Sequence, residues 1–369
     1  MPTKPASTPN RDAPRHILFT GGGSAGHVTV NTAIIPTMIE QGWKVSYIGS
    51  HNGIEKQLIS RLQGVDYYGI ATGKLRRYID LENVKDPFRV VKGVYQAYRL
   101  IHRLKPDVLF SKGGFVSVPV VLGAWLNRVP VIIHESDLTP GLANRIAGPF
   151  AKKICITFAE TVKLIKGDKS VHVGPIIRSD LRKGSPWKGI QWCKFTPGKP
   201  VLLIMGGSLG SQRINDVIRR NVEALTRTYQ IIHICGKGEL DNKLTGTSGY
   251  RQYEYIHDEL ANAVACSDIV VSRAGSNSIF EFLALRKPML LIPLSKSASR
   301  GDQILNAESF RSAGFCEVLQ EEELSDETFL QSLGKVYASR EAIKKQMQQG
   351  QQGDSTLQVI ALIDQLARE

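Results

Sequence analysis

His27 directly follows a run of small residues, 21–26, that an apolar segment enters and a helical pattern leaves. A strand, a glycine turn and a helix in this order make an anion site, because unpaired N–H groups and the helix dipole face the ligand. An imidazole beside that site, with an ordinary pKa of about 6.5, is suited to act as a general base. The alternative is a histidine that caps the helix or positions a phosphate.

Two further candidates for a base, His134 and Glu135, follow another apolar segment. Alternating short apolar segments and helical patterns predict parallel sheets, which bind ligands beyond the carboxyl ends of their strands. That rule brings this loop to the same sheet edge as His27. A general base is recognised by its distance from the proton, so the sequence leaves the three residues as rivals.

The letters Gly21, Gly23 and Gly26 also satisfy the G-x-G-x-x-G dinucleotide pattern. The next predicted strand ends in Gly49 and Ser50, where an acid that binds ribose is expected, so nicotinamide chemistry is disfavoured. No Walker lysine follows a glycine turn, and no Asp-x-Asp pair occurs. We therefore expect chemistry without a metal or cofactor, with a leaving group stabilised by N–H groups and helix dipoles.

A second glycine turn, 206–210, follows an apolar segment in the second half of the chain. Its Ser208 is a candidate ligand of a diphosphate or a simple helix cap. Arg178 and Arg273 could add charge-assisted bonds, although surface ion pairs are the common alternative. Glu281 lies on a predicted helix after a glycine, where a carboxylate accepts ribose hydroxyls or simply favours the first helical turns.

Composition sets the wider limits. The chain has 369 residues, 42% of them hydrophobic, and a formal charge of +13, which favours anionic partners. The five cysteines show no metal or redox spacing, and no apolar run has the length of a transmembrane helix. Nucleic-acid binding is disfavoured because the aromatic residues form no RNA-binding motif.

The pattern predicts two α/β domains of Rossmann type that face a cleft, the default ligand site. We assign residues 1–15 to a loose tail, 16–174 to the first domain, 175–200 to a connector, 201–350 to the second domain and 351–369 to a final helix. The predicted strands are 17–19, 45–48, 67–70, 108–110, 131–133, 154–157, 201–205, 231–234, 269–271 and 289–292.

One region mixes basic and apolar residues in a way that suits an interfacial helix on anionic lipid. An ordinary amphipathic helix packed on the sheet is the alternative. The candidate membrane residues are Leu75, Arg76, Arg77, Ile79, Phe88 and Arg89.

Together these loops resemble the peptidoglycan N-acetylglucosaminyltransferases of the MurG family in glycosyltransferase family 28. The resemblance runs in order from residue 16 to the C-terminus. The motifs that carry it are residues 22–27, 112–114, 134–136, 206–210, 272–281 and 303–306.

The resemblance implies a glycosyltransferase-B fold, with transfer of N-acetylglucosamine from UDP-N-acetylglucosamine to lipid I at the cytoplasmic side of the cell membrane. It also suggests cell-wall assembly proteins as partners. On the donor it implies Ile256 at the uracil, Glu281 at the ribose, Ser208 and Arg178 at the diphosphate, and Gln303 with Asp302 at the sugar. From the first domain it implies Ser24, Ala25 and Gly26 near sugar and phosphate, and His27 and Glu135 as acceptor-activating groups.

Some positions depart from the family pattern. Asp137 stands where an asparagine that binds the sugar is common, and an ionised aspartate cannot donate the bonds of an amide. Such departures fit a divergent second copy of the enzyme. The alternatives left open are transfer to another lipid acceptor such as diacylglycerol, and a paralogue that binds the sugar nucleotide without turnover.

Overall fold

Two parallel β-sheets, each covered by helices on both faces, build the protein. We describe it from a computed structural model that covers residues 14–73, 86–207, 210–297, 299–350 and 353–369. Three of the sequence predictions fall on residues outside these ranges: most of the tail, Ser208, and four candidate membrane residues (Leu75, Arg76, Arg77 and Ile79).

The first sheet has seven parallel strands in the order β3-β2-β1-β4-β5-β6-β7. Its strands are β1 (His16–Thr20), β2 (Lys44–Ser50), β3 (Val65–Ile70), β4 (Val108–Ser111), β5 (Val131–Glu135), β6 (Lys153–Ile156) and β7 (Ser170–His172). The order reverses beside β1, so the loops after β1 and β4 diverge at the topological switch point where such sheets bind ligands.

The second sheet has six parallel strands in the order β10-β9-β8-β11-β12-β13. Its strands are β8 (Val201–Met205), β9 (Gln230–Ile234), β10 (Tyr250–Tyr253), β11 (Ile269–Ser272), β12 (Met289–Leu291) and β13 (Cys316–Val318). The two α/β domains predicted from the sequence are therefore confirmed.

Helices connect the strands in both domains. Those of the first are α1 (Gly26–Glu40), α2 (Ile54–Ile59), α3 (Asp86–Leu104), α4 (Ser117–Leu126) and α5 (Leu142–Ala147). Those that follow are α6 (Pro186–Cys193), α7 (Gln212–Arg220), α8 (Val222–Thr228), α9 (Leu260–Cys266), α10 (Ser276–Ala284), α11 (Asp302–Ser312), α12 (Asp326–Gln349) and α13 (Thr356–Leu366).

The strands are buried on both faces, which explains why they read as continuous apolar runs. In β1 and β4, Phe19 and Phe110 lie on one face with their ring centroids 5.6 Å apart, while Leu18 and Leu109 pack on the other. Every strand predicted from an apolar run is present. The strands that the sequence did not predict, β7, β10 and β13, have three or four residues each and polar letters among them.

The predicted connector is more ordered than its composition suggests. Helix α6 lies within it, and Cys193 and Phe195 belong to the core of the second domain. The final helix, α13, returns to the first domain, where Val359 and Ile363 are fully buried. The chain passes between the domains at the connector and again before α13. The two segments are hydrogen-bonded, since Ser355 N–H donates to the Pro175 carbonyl at 3.0 Å. No helix in the described ranges has the length and apolar character that a membrane span needs.

Candidate functional site

A buried carboxylate that the sequence analysis did not identify anchors the glycine turn after β1 through hydrogen bonds. Glu55, on α2, accepts hydrogen bonds from Gly23 N–H at 3.3 Å and Ser50 N–H at 2.9 Å. A Cβ on Gly22 would lie 2.6 Å from the Glu55 carboxyl carbon, so a larger residue there would displace this carboxylate. Glu55 therefore joins the turn to the end of β2 and sets the position of the residues that follow.

The loop after β4 packs against the same turn. Gly114 has a φ of +81°, and a Cβ there would meet the Gly22 carbonyl oxygen at 2.1 Å. Glycine is required for both reasons, since other residues rarely adopt this backbone conformation. Gly22 N–H in turn donates to the Gly113 carbonyl at 3.3 Å. The two glycine loops thus pack directly against each other at the carboxyl edge of the sheet.

His27 lies in the first turn of α1 with one ring nitrogen fixed. Its Nδ1 is 3.0 Å from the Gly22 carbonyl oxygen and 3.2 Å from Ser24 Oγ. Because a carbonyl only accepts, Nδ1 carries the proton and Nε2 keeps its lone pair. Burial, with the nearby Lys112 ammonium as a second cause, lowers the pKa of His27 to about 4. The imidazole is therefore neutral at ordinary pH and able to accept a proton.

The carboxylate of Glu135, the other candidate base, already accepts hydrogen bonds from the loop that follows it. Its Oε2 accepts bonds from Gly141 N–H at 2.7 Å and Asn144 Nδ2 at 2.9 Å, and its Oε1 accepts from Asp137 N–H at 3.1 Å. Burial raises its pKa, with the Asp137 charge as the next cause. The geometry fits a carboxylate that organises residues 135–144 better than one that waits for a substrate proton.

His134 has no access to a substrate. Its ring is buried beside Phe110, with centroids 6.2 Å apart, and burial lowers its pKa well below the ordinary value. Lys112, also buried, donates from Nζ to Ser136 Oγ at 2.8 Å. Of the three rivals, His27 alone combines a fixed tautomer with a ring nitrogen that the described residues leave free.

Asp137 takes part in a contact between the two domains. Asn306, on α11 and fully buried, donates from Nδ2 to Asp137 Oδ1 at 2.9 Å. Asn306 Oδ1 accepts from Leu138 N–H at 3.0 Å, and Asn306 Nδ2 also donates to the Ala274 carbonyl at 3.2 Å. This aspartate can therefore accept from the Asn306 amide, a partner more than 160 positions away.

The start of α1 faces the second domain. Helix α1 has no side-chain cap at Ala25, and Ser24 contacts His27 instead. Asn277, in the first turn of α10, donates from Nδ2 to the Gly26 carbonyl at 2.8 Å. The predicted group of Ser24, Ala25 and Gly26 thus lies at the cleft, opposite the helix that carries Glu281.

Arg178 and Glu281, which the sequence reasoning assigned to separate parts of one ligand, are bonded to each other. Arg178 Nε donates to Glu281 Oε1 at 2.8 Å and Nη2 donates to Oε2 at 3.2 Å. The carboxyl group is buried, and burial raises its pKa although Arg178 opposes the shift. A carboxylate held in this way still has lone pairs for hydroxyl donors. Arg178 therefore positions Glu281, whatever else it contacts.

Arg273 is also paired within the protein. Its Nη2 donates to Ser211 Oγ at 2.7 Å and to Glu321, and its Nη1 donates to the carbonyls of Ile292 and Pro293. Ser211 is the N-cap of α7, the helix that follows the second glycine turn. The buried guanidinium supports that turn through Ser211, so its position gives no support to the predicted bond with a diphosphate.

The remaining candidates lie at the carboxyl edge of the second sheet. Ile256 is in the loop after β10 and is nearly buried, with 9% exposure. Asp302 begins α11, and the next residue, Gln303, accepts from Leu294 N–H at 3.1 Å. The second glycine turn is described at Gly206, Gly207 and Gly210, with Ser208 outside the described ranges. Ile256 thus follows β10, and Asp302 and Gln303 follow β12, at the same edge of the second sheet.

Comparison with known proteins agrees with this architecture. Residues 17–156 match the glycosyltransferase family 28 N-terminal domain, and residues 201–361 match the C-terminal domain of that family. The crystal structure of Acinetobacter baumannii MurG has a TM-score of 0.74 at 24% identity, covering 95% of this chain and 100% of that chain. At that identity the structure supports the fold alone.

The curated relatives are much more similar in sequence. The UDP-N-acetylglucosamine--N-acetylmuramyl-(pentapeptide) pyrophosphoryl-undecaprenol N-acetylglucosamine transferase of Geobacillus thermodenitrificans is 58% identical over 354 residues, 96% of this chain and 99% of the relative. A Bacillus cereus protein of the same name with the numeral 2 is 57% identical over 330 residues, 89% of this chain and 94% of the relative. The chain therefore belongs to glycosyltransferase family 28 and, within it, to the family of these N-acetylglucosaminyltransferases.

Proposed function

We propose that this protein transfers N-acetylglucosamine from UDP-N-acetylglucosamine to lipid I, undecaprenyl-diphospho-N-acetylmuramyl-pentapeptide, to form lipid II for peptidoglycan synthesis. The observation that carries the proposal is the neutral imidazole of His27. Its Nδ1 is bonded to the Gly22 carbonyl, and its Nε2 is left to accept a proton at the cleft. The high identity to transferases that are named for these substrates supports the same choice.

In the proposed reaction, His27 Nε2 removes the proton of the acceptor hydroxyl as its oxygen attacks the anomeric carbon of the donor sugar. The new carbon–oxygen bond forms on the face opposite the breaking bond, and UDP leaves with the electron pair. The configuration at the anomeric carbon is therefore inverted. The charge that develops on UDP is stabilised by N–H groups and helix dipoles at the second glycine turn.

The donor is proposed to lie on the second domain. Glu281, held by Arg178, accepts the ribose hydroxyls, and the backbone of Ile256 meets the uracil. Ser208 binds the diphosphate, and Gln303 with Asp302 reaches the sugar. From the opposite wall, residues 24–26 approach the sugar and phosphate. The chain has no Asp-x-Asp pair of the kind that holds a divalent ion under a diphosphate, which supports a metal-independent reaction.

The test is UDP release from UDP-N-acetylglucosamine in EDTA, with and without a short-chain lipid I analogue. We expect release that requires the acceptor and that EDTA does not reduce. Tight donor binding without release would overturn the proposal. In that case diacylglycerol is the next acceptor to test.

We also propose that α3 places the first domain on the anionic cytoplasmic face of the cell membrane. Phe88, Val91 and Tyr95 follow one another at helical spacing and are 75%, 69% and 60% exposed. The opposite face of α3 packs into the core through Ala97 and Ile101, and this packing leaves the three side chains uncovered. Lys92 and Arg99 are exposed on the same helix, which supplies charge for anionic lipid.

Replacing Val91 and Tyr95 with serine is expected to lower binding to anionic vesicles at least about tenfold, because each exposed apolar side chain contributes roughly 1.5–3 kcal/mol on burial. Vesicle flotation measures the bound fraction. The matched control is Leu357→Ser on α13, which is 70% exposed and lies on another surface. The proposal would be contradicted by a bound fraction that changes neither with the anionic lipid content nor with the double substitution.

A further inference from the structure

A cation of the second domain reaches across the cleft to the loop that carries Glu135. Arg300, exposed in the segment between β12 and α11, has its Nη2 3.6 Å from the position that a Cβ on Gly141 would take. Glu135 Oε2 lies 3.7 Å from the same position. The guanidinium is therefore beside the organised loop of the first domain, at the mouth of the cleft.

Arg300 has no counter-ion in the part of the chain that the structure describes. It enters none of the ion pairs between described residues, unlike Arg178 and Arg273, which are paired with carboxylates. The nearby carboxylates are engaged elsewhere, since Glu135 is bonded to its own loop and Asp137 to Asn306. An exposed arginine that faces a site without a partner is available to an anionic ligand.

The charge of Arg300 is felt at the proposed base. It is one of the causes that lower the pKa of His27, after burial and Lys112. The Nη2 of Arg300 lies beside Gly141, in the loop that Glu135 organises, so a group that binds Arg300 would lie at the cleft face of this loop. The matching ligand chemistry is a phosphate, because the planar guanidinium presents two parallel N–H donors to phosphate oxygens.

We propose that Arg300 binds the diphosphate of the lipid-linked acceptor. This inference rests on the function proposed above. The acceptor diphosphate is joined to the same sugar that carries the accepting hydroxyl, so it must lie near the cleft when that hydroxyl reaches His27. The donor diphosphate is assigned to the second glycine turn, whereas Arg300 extends to the Gly141 loop of the opposite domain.

The variants Arg300→Gln and Arg300→Lys test this assignment in the full-length protein. Initial rates of UDP release are measured with both the donor and a short-chain lipid I analogue varied. For Arg300→Gln we expect the acceptor KM to rise about tenfold with the donor KM unchanged, because one charge-assisted phosphate contact is lost. Lysine keeps the charge but not the fork, so part of the affinity returns. Lys335→Gln, an exposed position on α12, is the control for the same change in net charge.

A second analogue, in which a neutral linker replaces the diphosphate, identifies the group that is bound. Arg300→Gln should leave the KM of this analogue unchanged. An equal rise for both analogues would assign Arg300 to the peptide carboxylates, and a rise in donor KM would assign it to UDP; either result, or no change at all, overturns the inference. Failure of the wild-type protein to release UDP with lipid I would instead overturn the proposed function.

Discussion

Replacing His27 with asparagine is expected to lower kcat by about 100- to 10,000-fold, the usual contribution of a positioned general base. The asparagine amide can take over the bond from Nδ1 to the Gly22 carbonyl, so the loop keeps its anchor. What is lost is Nε2, the atom proposed to accept the acceptor proton. Because the donor is assigned to the second domain, its KM should change by less than about threefold.

Steady-state UDP release with the donor and acceptor varied separately measures both quantities. A thermal melt like that of the wild type shows that the variant is folded. Equal losses in kcat and donor affinity would contradict the base and favour a histidine that positions a phosphate. The comparison of the loss in kcat with the loss in donor affinity therefore separates the two roles that the sequence left open for His27.

The pH dependence follows from the same imidazole. Its pKa of about 4 lies below the ordinary value of 6.5, so the folded protein keeps the ring neutral where an exposed histidine would be protonated. The acid limb of kcat/KM, which reports the free enzyme, should therefore lie below pH 6. Since the unfolded chain binds more protons between these two values, His27 also makes the fold less stable as pH falls from 6.5 toward 4. An acid limb at pH 6.5 would contradict the burial of the ring.

Replacing Arg273 with methionine is expected to lower the free energy of unfolding by about 3–5 kcal/mol, because the buried Glu321 carboxylate loses its partner. Both side chains are less than a tenth exposed, at 8% and 6%. Ser211, the N-cap of α7, loses its bond from Arg273 in the same variant. Urea unfolding followed by fluorescence and circular dichroism measures the change.

A second arginine pair of the same domain supplies the control. Arg220 binds Asp326 at 2.7 Å, but the two side chains are 55% and 45% exposed. Arg220→Met should therefore lower the free energy of unfolding much less than Arg273→Met does, because water screens an exposed ion pair. The double variant Arg273→Met with Glu321→Leu should recover part of the lost stability, since no charge remains unpaired. Similar losses for Arg220 and Arg273 would show that burial does not decide the value of the pair.

Much of the architecture could be predicted because it is encoded locally. Short apolar runs that alternate with helical stretches predicted ten of the strands, and the stretches after residues 26, 211 and 301 predicted α1, α7 and α11. The edge strands β7, β10 and β13 were not predicted, because strands of three or four residues that include polar side chains show little hydrophobic periodicity. The family was also recognisable, since its motifs occur in order along the chain.

The roles of the charged residues needed the tertiary structure. Glu135 and His27 are equally plausible bases in the sequence, yet hydrogen bonds from Gly141 and Asn144 occupy one while Nε2 of the other remains open. Arg273 could have faced a ligand until its partner Glu321 was known. Whether a carboxylate and a guanidinium form an ion pair depends on their distance and burial, and both are set by how the sheets and helices pack.

The sequence by itself determined the two α/β domains, their glycine turns and the family, because backbone freedom and hydrophobic period are properties of neighbouring residues. Only the tertiary structure decided that Glu55 holds the first turn, that Asn306 joins Asp137 across the cleft, and that α13 returns to the first domain. These contacts join residues distant in the chain, and no local pattern records which buried donor meets which acceptor.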